Sequence, residues 1–115
     1  MSGKYDFEER LVKFAGDMIL FTQALPKERA STYFSDQLIR SSSGAALNYG
    51  EAQGAESLKD GVHKTAIVLK ELKESRVALK ILQYINFGPP DLRSALLTEA
   101  EELIAISATM IKNKM

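Results

Sequence analysis

The feature that most constrains the fold of this sequence is a run of apolar residues spaced alternately by four and three positions. The run consists of Phe7, Leu11, Phe14, Met18, Phe21 and Leu25. Residues three and four apart lie on the same face of an α-helix, so this spacing predicts an amphipathic helix with one continuous apolar seam. The seam must face the groove of a partner, so the helix is expected to pack against others.

Prolines and glycine divide the rest of the chain into three further predicted helices. Pro26 closes the first helix, and the Gly-Pro-Pro run at 88–90 separates the third from the fourth. Ser57 and Asp91 are the predicted N-caps of the third and fourth helices. The predicted bounds are about 7–25, from 28–31 to 54, 57–87 and 91–113. No segment alternates with the period of two that strands need. We therefore predict an all-α, antiparallel up-down four-helix bundle, with residues 1–115 as one domain.

The second predicted helix contains a small, polar segment, Arg40-Ser41-Ser42-Ser43-Gly44-Ala45-Ala46. Serine and glycine are poor helix formers, so a purely local interpretation places a break here. The helical spacing nevertheless continues through the segment, from Leu38 to Ala52. We therefore predict an unbroken helix, whose small residues let a neighbouring helix approach closely.

Composition excludes several classes of protein. The chain has no cysteine, which rules out disulfides and thiolate metal sites, and it has 15 basic and 15 acidic residues, which leave no global field for nucleic acid or membranes. No run approaches the roughly 20 apolar residues that cross a bilayer, and the charged N-terminus lacks a signal peptide. We expect a soluble, cytoplasmic protein without a membrane partner.

The sequence contains no recognisable catalytic apparatus. His63 is the only histidine, too few for a histidine-based metal cluster, and no glycine-rich phosphate loop is present. We predict no catalytic residue, no metal ligand and no cofactor.

Polar residues on otherwise apolar faces predict an interior network. Asn48 shares a stripe with Leu38, and Glu71 shares one with Val68. A buried carboxylate needs partners, because an unpaired one costs several kcal/mol. The residues predicted to form the network are Asn48 and Glu71, with Ser41, Ser75 and Arg40 contributing. The network either fixes the register of the helices or forms a ligand or metal pocket, and the first interpretation is favoured.

The third helix carries a basic stripe of Lys59, His63, Lys70, Lys73 and Lys80, with Arg76 alongside. The residues predicted to contact nucleic acid are Lys59, Lys70, Lys73, Arg76 and Lys80. Such a stripe can bind phosphates with release of counterions. However, Asp60 and Glu74 interrupt it, and no aromatic residues lie between the cations for base stacking. A solvated helix face is the preferred interpretation for a monomer, and assembly would repeat the stripe around a ring.

The first and fourth helices each carry a second apolar stripe beside the first, wider than one bundle core needs. Exposed, these stripes would form a patch larger than monomers usually tolerate. We therefore predict homo-oligomerisation through the first and fourth helices. The predicted interface residues are Ile19, Leu97, Ile104 and Ile111.

The segment 36–52, DQLIRSSSGAALNYGEA, resembles a family of four-helix-bundle proteins encoded by intervening sequences in bacterial 23S ribosomal RNA genes. The segment Ala24-Leu25-Pro26 and the segment 64–75, KTAIVLKELKES, resemble the same family. The resemblance covers about residues 7–82 and is most specific in the second helix. Family positions that recur in the pattern match Arg40, Ser41, Asn48, Glu51, Glu71 and Glu74, which adds Glu51 and Glu74 to the predicted network.

This resemblance implies a homopentamer of undefined molecular function, once labelled ribosomal. A related branch serves as an accessory protein to the reverse transcriptase of diversity-generating retroelements, where a basic surface contacts nucleic acid. The leading hypothesis is a non-enzymatic homo-oligomer with weak RNA or DNA binding. The second is a protein-binding adaptor, such as an accessory subunit of a reverse transcriptase or another nucleic-acid enzyme. The least favoured is an enzyme with an interior carboxylate site at Glu51, Glu71 and Glu74.

Overall fold

The computed structural model of the chain describes residues 4–114 and consists of four α-helices joined by short turns. The helices are α1 (Lys4–Gln23), α2 (Arg29–Gln53), α3 (Leu58–Tyr84) and α4 (Pro90–Lys114). α1 and α3 each lie beside α2 and α4, whereas the backbones of the diagonal pairs do not approach one another within the described residues. Because the turns are short, consecutive helices are antiparallel neighbours. The predicted all-α four-helix bundle is confirmed, and no strand occurs between residues 4 and 114.

The apolar seam of α1 forms the centre of the core. Phe7, Leu11, Phe14, Met18 and Phe21 are all fully buried or nearly so. They pack against leucines of the other three helices, among them Leu38, Leu72 and Leu103. Leu25, the last residue of the predicted seam, lies beyond the end of α1 and is only half-buried.

α2 continues without interruption through its small, polar segment, as predicted. Ser42 is fully buried, and its hydroxyl donates to the Leu38 carbonyl one turn earlier, at 2.7 Å. That bond satisfies the hydroxyl inside the helix, so the serine does not need a break in order to find a partner.

The helix starts agree with the sequence in one case and differ in another. Ser57 caps α3 as predicted, because its hydroxyl accepts from the Asp60 amide at 3.1 Å. The prediction that Asp91 is the N-cap of α4 is wrong, since the helix already begins at Pro90 and Asp91 lies in its first turn. Proline is well suited to the first helical position, where its missing amide hydrogen would have no partner.

A bidentate ion pair joins the first and last helices. The Arg10 guanidinium donates to both carboxylate oxygens of Glu99, at 2.7 and 3.0 Å, and to Glu102 at 2.8 Å. This contact bridges α1 and α4, which closes the bundle.

Within residues 4–114, no helix combines the length and the apolar character that crossing a membrane requires.

Candidate functional site

A charged cluster lies where α2 crosses α3. Arg40, on α2, donates to Glu71 at 3.3 Å and to Glu74 at 2.8 Å, both on α3. It also donates to the side-chain oxygen of Gln37, at 3.1 Å. The hydrogen bond from Arg40 holds the pKa of the Glu74 carboxyl below its ordinary value. Both carboxylates therefore share one guanidinium, and the three side chains tie the two helices together.

Gly44 makes room for the buried member of this cluster. Glu71 is only 8% exposed. A Cβ atom at position 44 would lie 2.8 Å from Oε2 of Glu71 and 3.2 Å from its Cδ. Glycine at this position thus lets the carboxylate lie against the backbone of α2, which is the close approach that the small segment predicted.

We expect the Gly44→Ala and Gly50→Ala variants to change stability in opposite directions. Both sites lie in α2, where alanine is favoured over glycine by about 1 kcal/mol. At Gly50 an added Cβ meets nothing within 4 Å, so the free energy of unfolding should rise by up to about 1 kcal/mol. At Gly44 the methyl group must displace the flexible carboxylate end of Glu71 and with it the hydrogen bond from Arg40, a loss of roughly 1.5–3 kcal/mol that should outweigh the gain. Urea denaturation at a fixed protein concentration measures both, and equal stabilisation of the two variants would contradict the tight contact.

A second polar contact lies deeper in the same interface. Ser41 of α2 and Ser75 of α3 are both buried, and their hydroxyls share a hydrogen bond of 2.6 Å. A short bond between buried hydroxyls fixes the height of one helix relative to the other, because sliding by a turn would leave both groups without a partner.

Two members of the predicted network lie apart from it. The Asn48 side chain donates to the Gly44 carbonyl at 2.8 Å, so its amide is satisfied within α2 instead of reaching Glu71. Glu51 is exposed near the end of α2 and accepts from Lys64 at 2.7 Å. The structure therefore brings together five of the predicted residues, namely Arg40, Ser41, Glu71, Glu74 and Ser75. Among the described residues, no three histidine, aspartate or glutamate side chains cluster as a metal site.

A broad groove of about 690 Å³ lies over the charged cluster, on the outer side of α2 and α3. We call it the α2–α3 groove. Its apolar lining includes Tyr33 and Phe34 of α2 and Leu69, Val77 and Ile81 of α3. Its polar lining includes Arg40, Lys70, Lys73 and Glu74. The groove thus combines apolar walls with a charged base and rim.

The cations predicted to contact nucleic acid fall into two groups in the structure, those near a carboxylate and those that are exposed. Arg76 donates to Glu101 of α4 at 3.0 Å, and Lys70 lies 3.9 Å from Glu74. Lys59, Lys73 and Lys80 are exposed. Two of the five predicted cations are therefore paired with carboxylates of the same chain.

The predicted interface residues differ in how much surface they offer. Ile19 is 37% exposed, whereas Leu97 and Ile104 pack against the core cluster and Ile111 is half-buried. The three residues of α4 therefore bury much of their apolar surface inside the bundle.

The large apolar side chains that are exposed lie mostly elsewhere. They are Val12, Ile19, Leu20, Tyr33, Leu47, Leu58, Val77, Ile81, Tyr84 and Ile85. Those of the α2–α3 groove are not among the interface residues predicted from the sequence. A signal was present, because Val77 lies four residues after Lys73 and three before Lys80, on the outward face that the lysines already marked.

Val12 and Ile19 form a second exposed apolar surface, on α1. They are seven residues apart, so they lie on one side of the helix, with the exposed Gly16 between them. We call these three residues the α1 stripe. Arg10 and Asp17 lie on the opposite side of α1, and Arg10 reaches α4. The α1 stripe therefore points away from α4.

Comparison with known proteins identifies a family and a similar solved structure. A family model, that of the 23S rRNA-intervening sequence protein, matches residues 4–109. The fold is similar to the crystal structure of a protein of unknown function from the S23 ribosomal protein family of Bacteroides thetaiotaomicron VPI-5482. The two share 24% sequence identity with a TM-score of 0.85, over 92% of this chain and 98% of the other. No curated protein matches with significant similarity. The chain belongs to the 23S rRNA-intervening sequence protein family.

Proposed function

We propose that this protein is a non-enzymatic binding module that functions as a closed homo-oligomer, a homopentamer as the family resemblance implies. The observation that supports this proposal is the presence of two exposed apolar surfaces on different helices. One is the α2–α3 groove, and the other is the α1 stripe. Contiguous apolar patches on a monomer commonly mark interaction sites.

The number of these surfaces favours a ring over a simple dimer. A two-fold dimer needs only one self-complementary patch, which meets its own copy across the axis. A cyclic assembly needs two different patches on each subunit, one that contacts the preceding subunit and one that contacts the following subunit. Two separate apolar surfaces on one small bundle are the arrangement that a ring requires.

The mass of the protein in solution tests this proposal. We expect analytical ultracentrifugation to give a single species of five copies of the 12.7-kDa chain. Replacing both Val77 and Ile81 by glutamate should yield a helical monomer, because each charge would be buried at the contact. Leu58→Glu, at an exposed apolar residue outside both surfaces, is the matched control and should remain assembled. A wild-type monomer at every concentration would refute the proposal and favour an adaptor whose groove receives a different protein.

Catalysis and strong nucleic-acid binding are not part of this proposal. Arg40 bridges the two carboxylates by direct hydrogen bonds to Glu71 and Glu74, which suits a structural tie between helices. Lys59, Lys73 and Lys80 are too few on one subunit for tight binding to phosphates. A ring would repeat these lysines, and any binding of RNA or DNA by it should be weak and sensitive to salt.

A further inference from the structure

We propose that the α1 stripe of one copy docks into the α2–α3 groove of a neighbouring copy, with α1 parallel to the neighbour's α3. This inference rests on the proposed function, since it names the two surfaces that meet when the chain assembles. It commits the groove to a second copy of this chain. The reasons are a glycine without a role inside the subunit, a matched spacing of side chains and complementary charge.

The first reason is Gly16, which lies in the middle of a 20-residue helix. Glycine at such a position destabilises a helix by about 1 kcal/mol relative to alanine. A Cβ atom added to Gly16 would meet nothing within 4 Å, so the packing of the subunit does not require glycine there. Exposed apolar residues flank it on the same side, at Val12 and Ile19. Close approach by another molecule explains why a gap is kept between two apolar side chains.

The second reason is a shared spacing along α1 and α3. On α1 the outward series is Glu8, Val12, Gly16 and Ile19. On α3 the outward series is Lys73, Val77, Ile81 and Tyr84. All of these residues are exposed. Successive members of both series are separated by four, four and three residues, and each residue of a helix rises about 1.5 Å. When the two helices run in the same direction, four pairs therefore meet at equal heights.

Each of the four pairs is chemically complementary. Val12 meets Val77, and Ile81 projects into the gap at Gly16, as a knob enters a hole. At one end, Ile19 meets the ring of Tyr84, which is 91% exposed in the monomer.

The charge at the other end selects the direction. Glu8 meets Lys73, and among the described residues Lys73 forms no ion pair within its own subunit. The opposite direction would place Glu8 beside Tyr84 and Ile19 beside Lys73. In that direction the ion pair would be lost, and Lys73 would face the apolar side chain of Ile19.

Disulfide trapping tests the docking on a clean background, because the chain has no cysteine. We expect the Val12→Cys, Val77→Cys double variant to form a ladder of linked subunits when oxidised, visible on a non-reducing gel. A disulfide needs Cα atoms within roughly 7 Å, so only residues that meet directly will link. The matched control combines Val12→Cys with Leu47→Cys, which is exposed on α2 but does not line the groove, and it should yield no ladder.

Charge reversal supplies an independent test that needs no cross-link. Glu8→Lys and Lys73→Glu should each raise the concentration of half-assembly by about ten-fold or more, because like charges then face each other. The double variant should return to within about three-fold of the wild type. Both residues are exposed, so circular dichroism should show unchanged helix content.

The outcomes separate the docking from the proposed function. An assembled wild type that shows neither the Val12–Val77 ladder nor rescue by the double reversal would overturn the docking and leave self-association standing. A wild type that is monomeric by ultracentrifugation would overturn both.

Discussion

We expect the Arg93→Met variant to lose about 3 kcal/mol of folding free energy, although Arg93 contacts no carboxylate among the described residues. Its guanidinium donates to the carbonyl oxygens of Phe87 and Gly88, at 2.7 and 3.3 Å, and to the side-chain oxygen of Asn86 at 3.4 Å. Arg93 is only 6% exposed. Hydrogen bonds to a charged group contribute roughly 1.5–3 kcal/mol each, and the methionine would leave carbonyl groups without partners.

Urea denaturation at one protein concentration measures this loss. Arg29→Met is the matched control, because Arg29 is exposed at the start of α2 and its replacement should change stability by less than about 0.5 kcal/mol. Arg93→Lys should recover only part of the loss, since an ammonium group lacks the planar fork that reaches several acceptors. Equal stabilities of the Arg93→Met and Arg29→Met variants would show that the turn between α3 and α4 does not depend on the guanidinium.

Arg93 also shows where helical periodicity stops being informative. Spacing identified the seam from Phe7 to Phe21 because burial in a bundle follows the turn of the helix, and burial is what the structure confirms. Arg93 lies beside Leu92 on the same helix, and its charge suggests a solvated position. Two of its partners are backbone carbonyls of the preceding turn, and the spacing of side chains in a sequence does not predict contacts with backbone atoms.

The charged cluster between α2 and α3 is a second example of this boundary. Periodicity placed Glu71 and Asn48 on inward faces, and Glu71 is indeed buried. Periodicity does not say which residues of two facing helices lie at the same height. The Asn48 amide donates to a carbonyl of its own helix. Arg40, which lies on an earlier turn of α2, donates to both Glu71 and Glu74. The height at which two helices meet depends on the loop between them and on close contacts such as that at Gly44, which become visible only in three dimensions.

The exposed surfaces were the hardest part to predict. The second apolar stripe of α4 was expected at an interface, but Leu97 and Ile104 pack against the core cluster. An apolar residue at the edge of a stripe is buried or exposed according to how closely the next helix approaches, and the sequence does not specify this distance. Val77 was overlooked for the opposite reason, since it lies among lysines and not on an apolar stripe.

The Gly88→Ala variant should be destabilised as strongly as Arg93→Met, by about 3 kcal/mol, for two independent reasons. Gly88 has a φ of 87°, a conformation that costs an L-residue roughly 1–2 kcal/mol. An added Cβ would also lie 2.7 Å from Cε1 and Cζ of Phe21 and 3.0 Å from Cδ2 of Leu25. The Phe21 ring is fully buried, so it cannot move aside without disturbing the core, and overpacking of this kind costs roughly 1–3 kcal/mol.

A comparison of alanine with asparagine at position 88 separates these two reasons. Asparagine tolerates positive φ better than alanine, as Asn86 does nearby with a φ of 58°, but it carries the same Cβ. If backbone conformation dominates, urea denaturation should show Gly88→Asn clearly more stable than Gly88→Ala. If the contact with Phe21 dominates, both variants should lose similar amounts. Gly50→Ala, in a helical site with open space, should instead be neutral or stabilised, and a Gly88→Ala variant that matched it would show that neither constraint operates.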